Sequence, residues 1–297
     1  MCGIVGIYLK DKSLNPELGK HLAAMLVEMS DRGPDSAGIA VYRDPVSESS
    51  CKITLHAMGD YDWESLRAAM TAQLKADVKL IVLASHAVVT AAASVNSLQD
   101  WLRTQHPDLR IMSAGSAIEI YKEKGLPREF VRQFKLHELN GSHALGHTRM
   151  ATESAVTTEH SHPFSTGMDL CLVHNGSLSN HNWLRRMLRD EGVDIQTDND
   201  SEVAAGYLMW RMREGDSLDD ALNRALEDLD GFYTFAIGTK DGFAVLRDPI
   251  ACKPAVMAET DDWVAMASEF RAIAQLPGAG NASVWEPAPA TVYTWGH

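Results

Sequence analysis

Short apolar runs crowd both ends of the chain, and the stretches between them carry helical periodicity. GIVGIY at 3–8 predicts a buried strand. Leu18, Leu22, Met25, Leu26 and Met29 recur at helical spacing and predict an amphipathic helix with one core face. DRGPDS at 31–36 is a turn cluster that a helix does not cross easily, and GIAVY at 38–42 predicts the next strand. Residues 62–75 and 95–105 read as helices, VKLIVLASHAVV at 78–89 contains a buried strand, and 109–122 returns to strand character. This stretch imitates a βαβ nucleotide unit but carries neither GxGxxG nor GxxxxGK[ST]. It is therefore expected to be an insertion, over about 60–110, that supports the main sheet.

Strands resume with HALGHTRMAT at 143–152 and DLCLVHNG at 169–176. Helices are predicted at 180–191, 201–213 and 217–229, and the tail alternates short strands with Asp/Gly turns. Strands at both ends with helices between them predict an α+β layered fold, with one domain spanning 1–297.

Composition changes the picture in three respects. A net charge of −13 excludes a general affinity for nucleic acid, which needs clustered Lys and Arg. No apolar run is long enough to span a membrane, and the start lacks the pattern of a secretory signal, so the cytoplasm is expected. The four cysteines (Cys2, Cys51, Cys171, Cys252) lie far apart and form no CxxC pair, so reduced thiols are expected. HSH at 160–162 invites a metal reading, but no Cys or carboxylate stands at ligand spacing, and no metal is expected.

Candidate chemistry begins at Cys2, directly behind the initiator methionine. Removal of Met1 would place a free α-amine beside this thiol. A thiol of pKa about 8.5 is mostly protonated at neutral pH, and an α-amine titrating at about 7.7–8.0 can accept its proton and later return it to a leaving group. Asn175 and Gly176, following LCLV where a buried strand is expected to end, offer a side-chain amide and an unobstructed backbone N–H. Two such donors aimed at one point form an oxyanion hole, each worth about 10²–10³ in rate. A type I′ hairpin turn is the alternative reading of this Asn-Gly pair. Arg149 in GHTRMAT can grip a carboxylate bidentately, and Asp200 in TDNDSEV can hold an ammonium or cap a helix. Arg32 is a further basic candidate for the substrate pocket, or else a turn arginine solvated at the surface.

MCGIVGIY, DRGPDSAG, GHTRMAT, HNGSLSN and DNDSEV, in this order, resemble the class II glutamine amidotransferase domain. The resemblance implies an N-terminal nucleophile hydrolase with a four-layer αββα sandwich. It also implies Cys2 as nucleophile, Asn175 and Gly176 as oxyanion hole, Arg149 and Thr152 at the glutamine α-carboxylate, and Asp200 at its α-ammonium. The whole chain is most similar to the small amidotransferase-like subunits of N-methylglutamate synthases, which look like a glutamate synthase divided among separate polypeptides. That implies no cofactor on this chain, and a hetero-oligomer whose synthase-type partners carry FMN and an iron–sulfur cluster. Two positions depart from the family pattern. Met150 stands where many members carry Trp or Tyr, and Glu153 where some carry His. An acid beside the carboxylate clamp keeps a second reading open, a structural subunit that binds L-glutamate or L-glutamine with little turnover. A third reading, an N-terminal Cys hydrolase of another amide, fits the Arg149 and Asp200 pair less well.

Overall fold

The computed structural model describes residues 2–150 and 156–296, which form three antiparallel sheets. The seven-stranded sheet runs β15 (Ser283–Trp285), β13 (Val256–Glu259), β14 (Trp263–Ala267), β1 (Gly3–Leu9), β8 (His143–Arg149), β2 (Ser36–Tyr42) and β7 (Ile118–Lys124). The five-stranded sheet runs β16 (Thr291–Trp295), β12 (Gly242–Arg247), β11 (Gly231–Thr239), β10 (Leu170–Leu178) and β9 (Phe164–Gly167). The third holds β4 (Val78–Leu83), β5 (His86–Ala91), β3 (Cys51–His56) and β6 (Arg110–Gly115).

The two larger sheets lie face to face, and alternation along β1 displays the layering. Val5, Ile7 and Leu9 point to one side, where they pack against Leu22, Met25 and Leu26 of α1 (Leu18–Glu28). The short helices α4 (Pro127–Gln133) and α8 (Phe270–Ile273) complete that outer layer. Ile4 points to the other side, into a core shared with Val173, Phe243 and Met266 from both sheets. Gly6 makes this close approach feasible, because a Cβ there would lie 2.7 Å from the Phe243 ring. On the far side, α5 (His181–Asp190), α6 (Asp200–Arg213) and α7 (Leu218–Asp228) bury Leu184, Leu188, Val203 and Leu222 against Leu172 and Phe235. Each such side chain contributes roughly 1.5–3 kcal/mol when fully buried. The result is the expected α+β fold, a four-layer αββα sandwich.

Between β2 and β7 the chain leaves the main sheet. The stretch read as an insertion over about 60–110 lies within the third sheet, which opens at Cys51 and closes at Gly115. This sheet does not extend the main one; it builds a core of its own from Ile53, Leu55 and Val89. Leu66 and Met70 of α2 (Trp63–Leu74) and Leu98 of α3 (Val95–Gln105) complete that core. VKLIVLASHAVV is a hairpin of two strands that turns at Ala84, where φ is 54°. The strand β3 alternates Lys52, Thr54 and His56 with its apolar residues, the pattern of a half-buried strand, yet all three polar residues are buried as well. Lys52 Nζ meets Glu119 Oε1 of β7 at 3.1 Å, and the Ser113 hydroxyl donates to that of Thr54 at 3.1 Å.

Candidate active site

Cys2 lies immediately before β1, whose register pairs Gly3 with Thr148 of β8. One residue further along each strand, Cys2 and Arg149 come together at the end of the seven-stranded sheet. The partly exposed Cys2 thiol sits 4.0 Å from the Met150 carbonyl oxygen. Burial pushes the Arg149 guanidinium below its ordinary pKa, while Cys2 and Asp35 pull it the other way. DRGPDS wraps under this strand end. Gly33 lies so close that a Cβ would be 2.3 Å from the Thr148 carbonyl carbon, and the Asp35 amide donates to the Arg149 carbonyl at 3.0 Å. Arg32 is no solvated turn residue. Its Nε donates to the Cys2 carbonyl at 3.0 Å and its Nη1 pairs with Glu269 at 2.6 Å.

Asn175 and Gly176 come from the facing sheet. The strand β10 does not end at HNGS, as the sequence suggested, nor does Asn-Gly form a turn. It runs on to Leu178, pairing Asn175 with Thr234 and Gly176 with Tyr233 of β11. The buried Asn175 directs its Nδ2 at the Cys2 carbonyl oxygen, 3.4 Å away. Gly176 has φ +154°, and a Cβ there would lie 2.1 Å from the Phe232 carbonyl oxygen and 2.7 Å from His174 Nε2. Only glycine fits.

Asp200 opens α6, but the N-cap is its neighbour Asn199, whose Oδ1 accepts from the Ser201 amide at 2.9 Å. Asp200 is therefore free of the capping role. Its Oδ2 accepts from the Leu178 amide at 2.9 Å and its Oδ1 lies 3.6 Å from His174 Nδ1, which ties it to the strand carrying Asn175 and Gly176. Burial opposes its ionisation, yet the His174 ring and the Leu178 amide hold its carboxyl well below the usual carboxylate range.

Three buried histidines, none singled out by the sequence as a group, line up behind this carboxylate. Ser201 Oγ lies 2.7 Å from His162 Nε2 and 2.8 Å from His174 Nδ1, and the His162 and His147 rings stack with centroids 4.0 Å apart. Burial lowers the pKa of His147 to about 3 and drives that of His162 well down, so both are neutral. His160 turns away to Thr157, and among the described residues no three His, Cys, Asp or Glu side chains are grouped to hold a metal ion. Glu269 was also missed. It sits in a stretch with no recognisable motif, and only folding brings it to Arg32.

Met1, Thr152 and Glu153 lie outside the described residues. The others divide into a cluster of Cys2, Arg32, Arg149 and Asn175, adjoined by Gly176, and Asp200, which joins it through β10. No helix of the described residues is long and apolar enough to cross a membrane.

The layered fold, with a cysteine at the start of β1 facing an Asn-Gly pair, defines a class II glutamine amidotransferase of the N-terminal nucleophile type. The chain belongs to that family. The glutamine amidotransferase domain family matches residues 147–275. The glutamine amidotransferase-like protein GlxB of Rhizobium meliloti (strain 1021) is 55% identical over 299 residues, covering 100% of this chain and 99% of its own length. An amidophosphoribosyltransferase of Archaeoglobus fulgidus is 32% identical over 281 residues, covering 94% of this chain and 45% of that protein. Among solved structures, the glutamine phosphoribosylpyrophosphate amidotransferase from B. subtilis shares the fold. It has a TM-score of 0.64 at 22% identity, covering 99% of this chain and 47% of that one. The chain thus spans about half the length of these two amidotransferases.

Proposed function

We propose that this chain releases ammonia from the side-chain amide of L-glutamine through a thioester on Cys2. The observation that carries this reading is the meeting of Cys2 with Asn175 at the end of β1, beside the buried Arg149. With Met1 removed, the α-amine takes the thiol proton and the thiolate attacks the amide carbon. The Asn175 side chain and the Gly176 amide receive the charge that develops on the amide oxygen. The protonated amine gives its proton to the departing nitrogen, releasing ammonia. Water then cleaves the thioester, yielding glutamate and restoring the thiol. Arg149 and Thr152 hold the substrate carboxylate, Asp200 holds its ammonium, and Arg32 fixes the Cys2 backbone from below. None of these steps calls on a cofactor of this chain.

The reading extends to partners. Ammonia in water at neutral pH is mostly protonated and unreactive, so its use requires delivery to a second site. We place that site on FMN-bearing synthase-type subunits of a cytoplasmic hetero-oligomer of the N-methylglutamate synthase or glutamate synthase kind, with this chain as its single glutaminase domain. Support comes from the ordered motifs and from the near full-length likeness to a glutamine amidotransferase-like protein. The test is an intact-mass measurement of natively expressed protein, then glutamate release with and without co-purified subunits. Loss of Met1 and low activity that rises with the subunits are expected. A chain that retains Met1 and still hydrolyses glutamine would sink the mechanism.

A further inference from the structure

Where β6 of the insertion crosses β9 and α6, the fold forms a cleft of about 810 Å³ that opens to solvent. This is the size range of small-molecule pockets. Among the described residues of the site above, none of Cys2, Arg32, Arg149, Asn175 and Asp200 lines its wall. Its floor is apolar, with Ile111 and Met112 from β6, Phe164 and Leu170 from the five-stranded sheet, and Met209 and Met212 from α6.

The rest of the wall is polar and carries four cations and three carboxylates, in a protein whose net charge is −13. Arg103, Arg110, Lys122 and Arg213 reach it from four separate elements. Lys122 already donates to the Glu159, Ser161 and Pro163 carbonyls, and Arg213 to the Glu191 carbonyl and Glu214, so Arg110 is the cation that an anion would meet. Three carboxylates face these cations, and each is already engaged. Asp194 lies 3.3 Å from Arg103 and accepts from Gln196 Nε2, while Glu202 accepts from the Gln196 and Thr197 amides and the Thr197 hydroxyl. Glu159 is held by its own amide and by Thr157, and feels the fields of His56 and Arg110 besides. Arg110 itself touches the neutral Gln196 Oε1 at 3.3 Å, which leaves most of its five N–H donors for another partner. The Thr166 hydroxyl in the same wall is buried with no hydrogen-bond partner. A planar guanidinium beside an apolar floor suits a carboxylate or phosphate attached to an aliphatic or aromatic body.

We infer that this cleft is a binding site for an amphipathic organic anion, created by the insertion and distinct from the glutamine pocket. The probe is anilinonaphthalene sulfonate, an aromatic body carrying one anionic group, titrated by fluorescence into the full-length protein in the absence of glutamine. Adenosine monophosphate and octanoate serve as competitors that separate a phosphate from a carboxylate ligand. Saturable binding at one site is expected, with displacement by one competitor naming the anionic group. Arg110→Ala changes an exposed side chain and should weaken binding about tenfold or more, the size of one lost charge-assisted contact. Met212→Trp fills the cleft and should remove binding, with an unchanged melting temperature as the check on folding. The inference is overturned if none of the three compounds binds saturably up to millimolar concentration. It is equally overturned if the probe binds both variants as tightly as the wild type.

Discussion

Cys2 differs from the other three cysteines in its surroundings rather than in its chemistry as a thiol. Cys51 and Cys171 are buried in apolar cores, where burial raises the first and pushes the second up to about 12, so neither supplies a thiolate near neutral pH. Cys252 is exposed and is the real competitor. A small neutral alkylating agent should therefore modify both Cys2 and Cys252. An electrophilic glutamine analogue, which requires the amino-acid clamp, should modify Cys2 alone, as peptide mapping would reveal. Labelling of Cys252 by the analogue would contradict the nucleophile assignment. Cys2→Ala should leave thermal stability unchanged and abolish glutamate release. Removing Arg149 strips one partner from a charged contact, a loss typically of ~2–5 kcal/mol. Arg149→Ala should raise the glutamine concentration needed for half-saturation by tens-fold or more, with Cys2 still open to the neutral reagent. Gly176→Ala tests the oxyanion position differently. Its Cβ would meet the Phe232 carbonyl at 2.1 Å in a conformation costing an L-residue ~1–3 kcal/mol, so β10 must shift. Activity should disappear even where the variant folds, which parallel melting and glutamate-release measurements would establish.

At the scale of the element, the histidines packed behind the junction of β10 with α6 make the stability of the fold depend on pH. His147 and His162 are neutral in the folded chain, burial having lowered both from an ordinary value of 6.5. The unfolded chain binds more protons there below that value, so stability falls as pH drops from about 6.5 towards about 3. Asp200 acts in a lower window. Its folded carboxyl titrates below the ordinary 3.8, so its contribution is present above that value and is lost only as pH falls through the folded one. His162→Gln should accordingly flatten the pH dependence of urea-unfolding free energy by up to ~1.4 kcal/mol per pH unit between about pH 6 and about pH 4. Asp200→Asn should leave that slope intact. An unchanged slope in the histidine variant would show that His162 is not neutral in the fold. The helices at this junction were legible in the sequence because α5, α6 and α7 each keep an apolar stripe or a capping residue. The continuation of β10 through Asn-Gly was not, since that dipeptide favours a turn unless a facing strand holds it extended. Here Thr234 and Tyr233 of β11 do so.

Across the whole molecule, an α+β layered fold was readable because strands clustered at both ends, and its four layers followed from the resemblance of the ordered motifs to the class II amidotransferase domain. The candidates around Cys2 were readable only as a set, since Asn-Gly, Asp200 and Arg32 each have an ordinary structural use and the order of the motifs singled them out. Glu269 and the histidines behind Asp200 were hidden, because their significance lies in tertiary neighbours more than a hundred positions away or in rings with no spacing pattern. The insertion was visible as a stretch without a nucleotide fingerprint, yet nothing in its pattern disclosed how it attaches. Besides the Lys52–Glu119 pair, one carboxylate of the five-stranded sheet anchors the connection from β6 to β7. Asp169, at φ 51°, accepts from the Ser116, Ala117 and Ile118 amides at 2.7–3.0 Å and from the Ser116 hydroxyl at 2.9 Å. Gly115 leaves room for it, because a Cβ there would lie 2.2 Å from Asp169 Oδ1. Asp169→Ala removes the acceptor for all four donors, and each buried orphan costs about 1–3 kcal/mol. The main sheets do not depend on this junction, so the damage should be local. Hydrogen exchange should accelerate over 51–118 in the variant while β1 and α1 keep their protection. Uniform acceleration across the chain would mean instead that the insertion and the sandwich unfold as one unit.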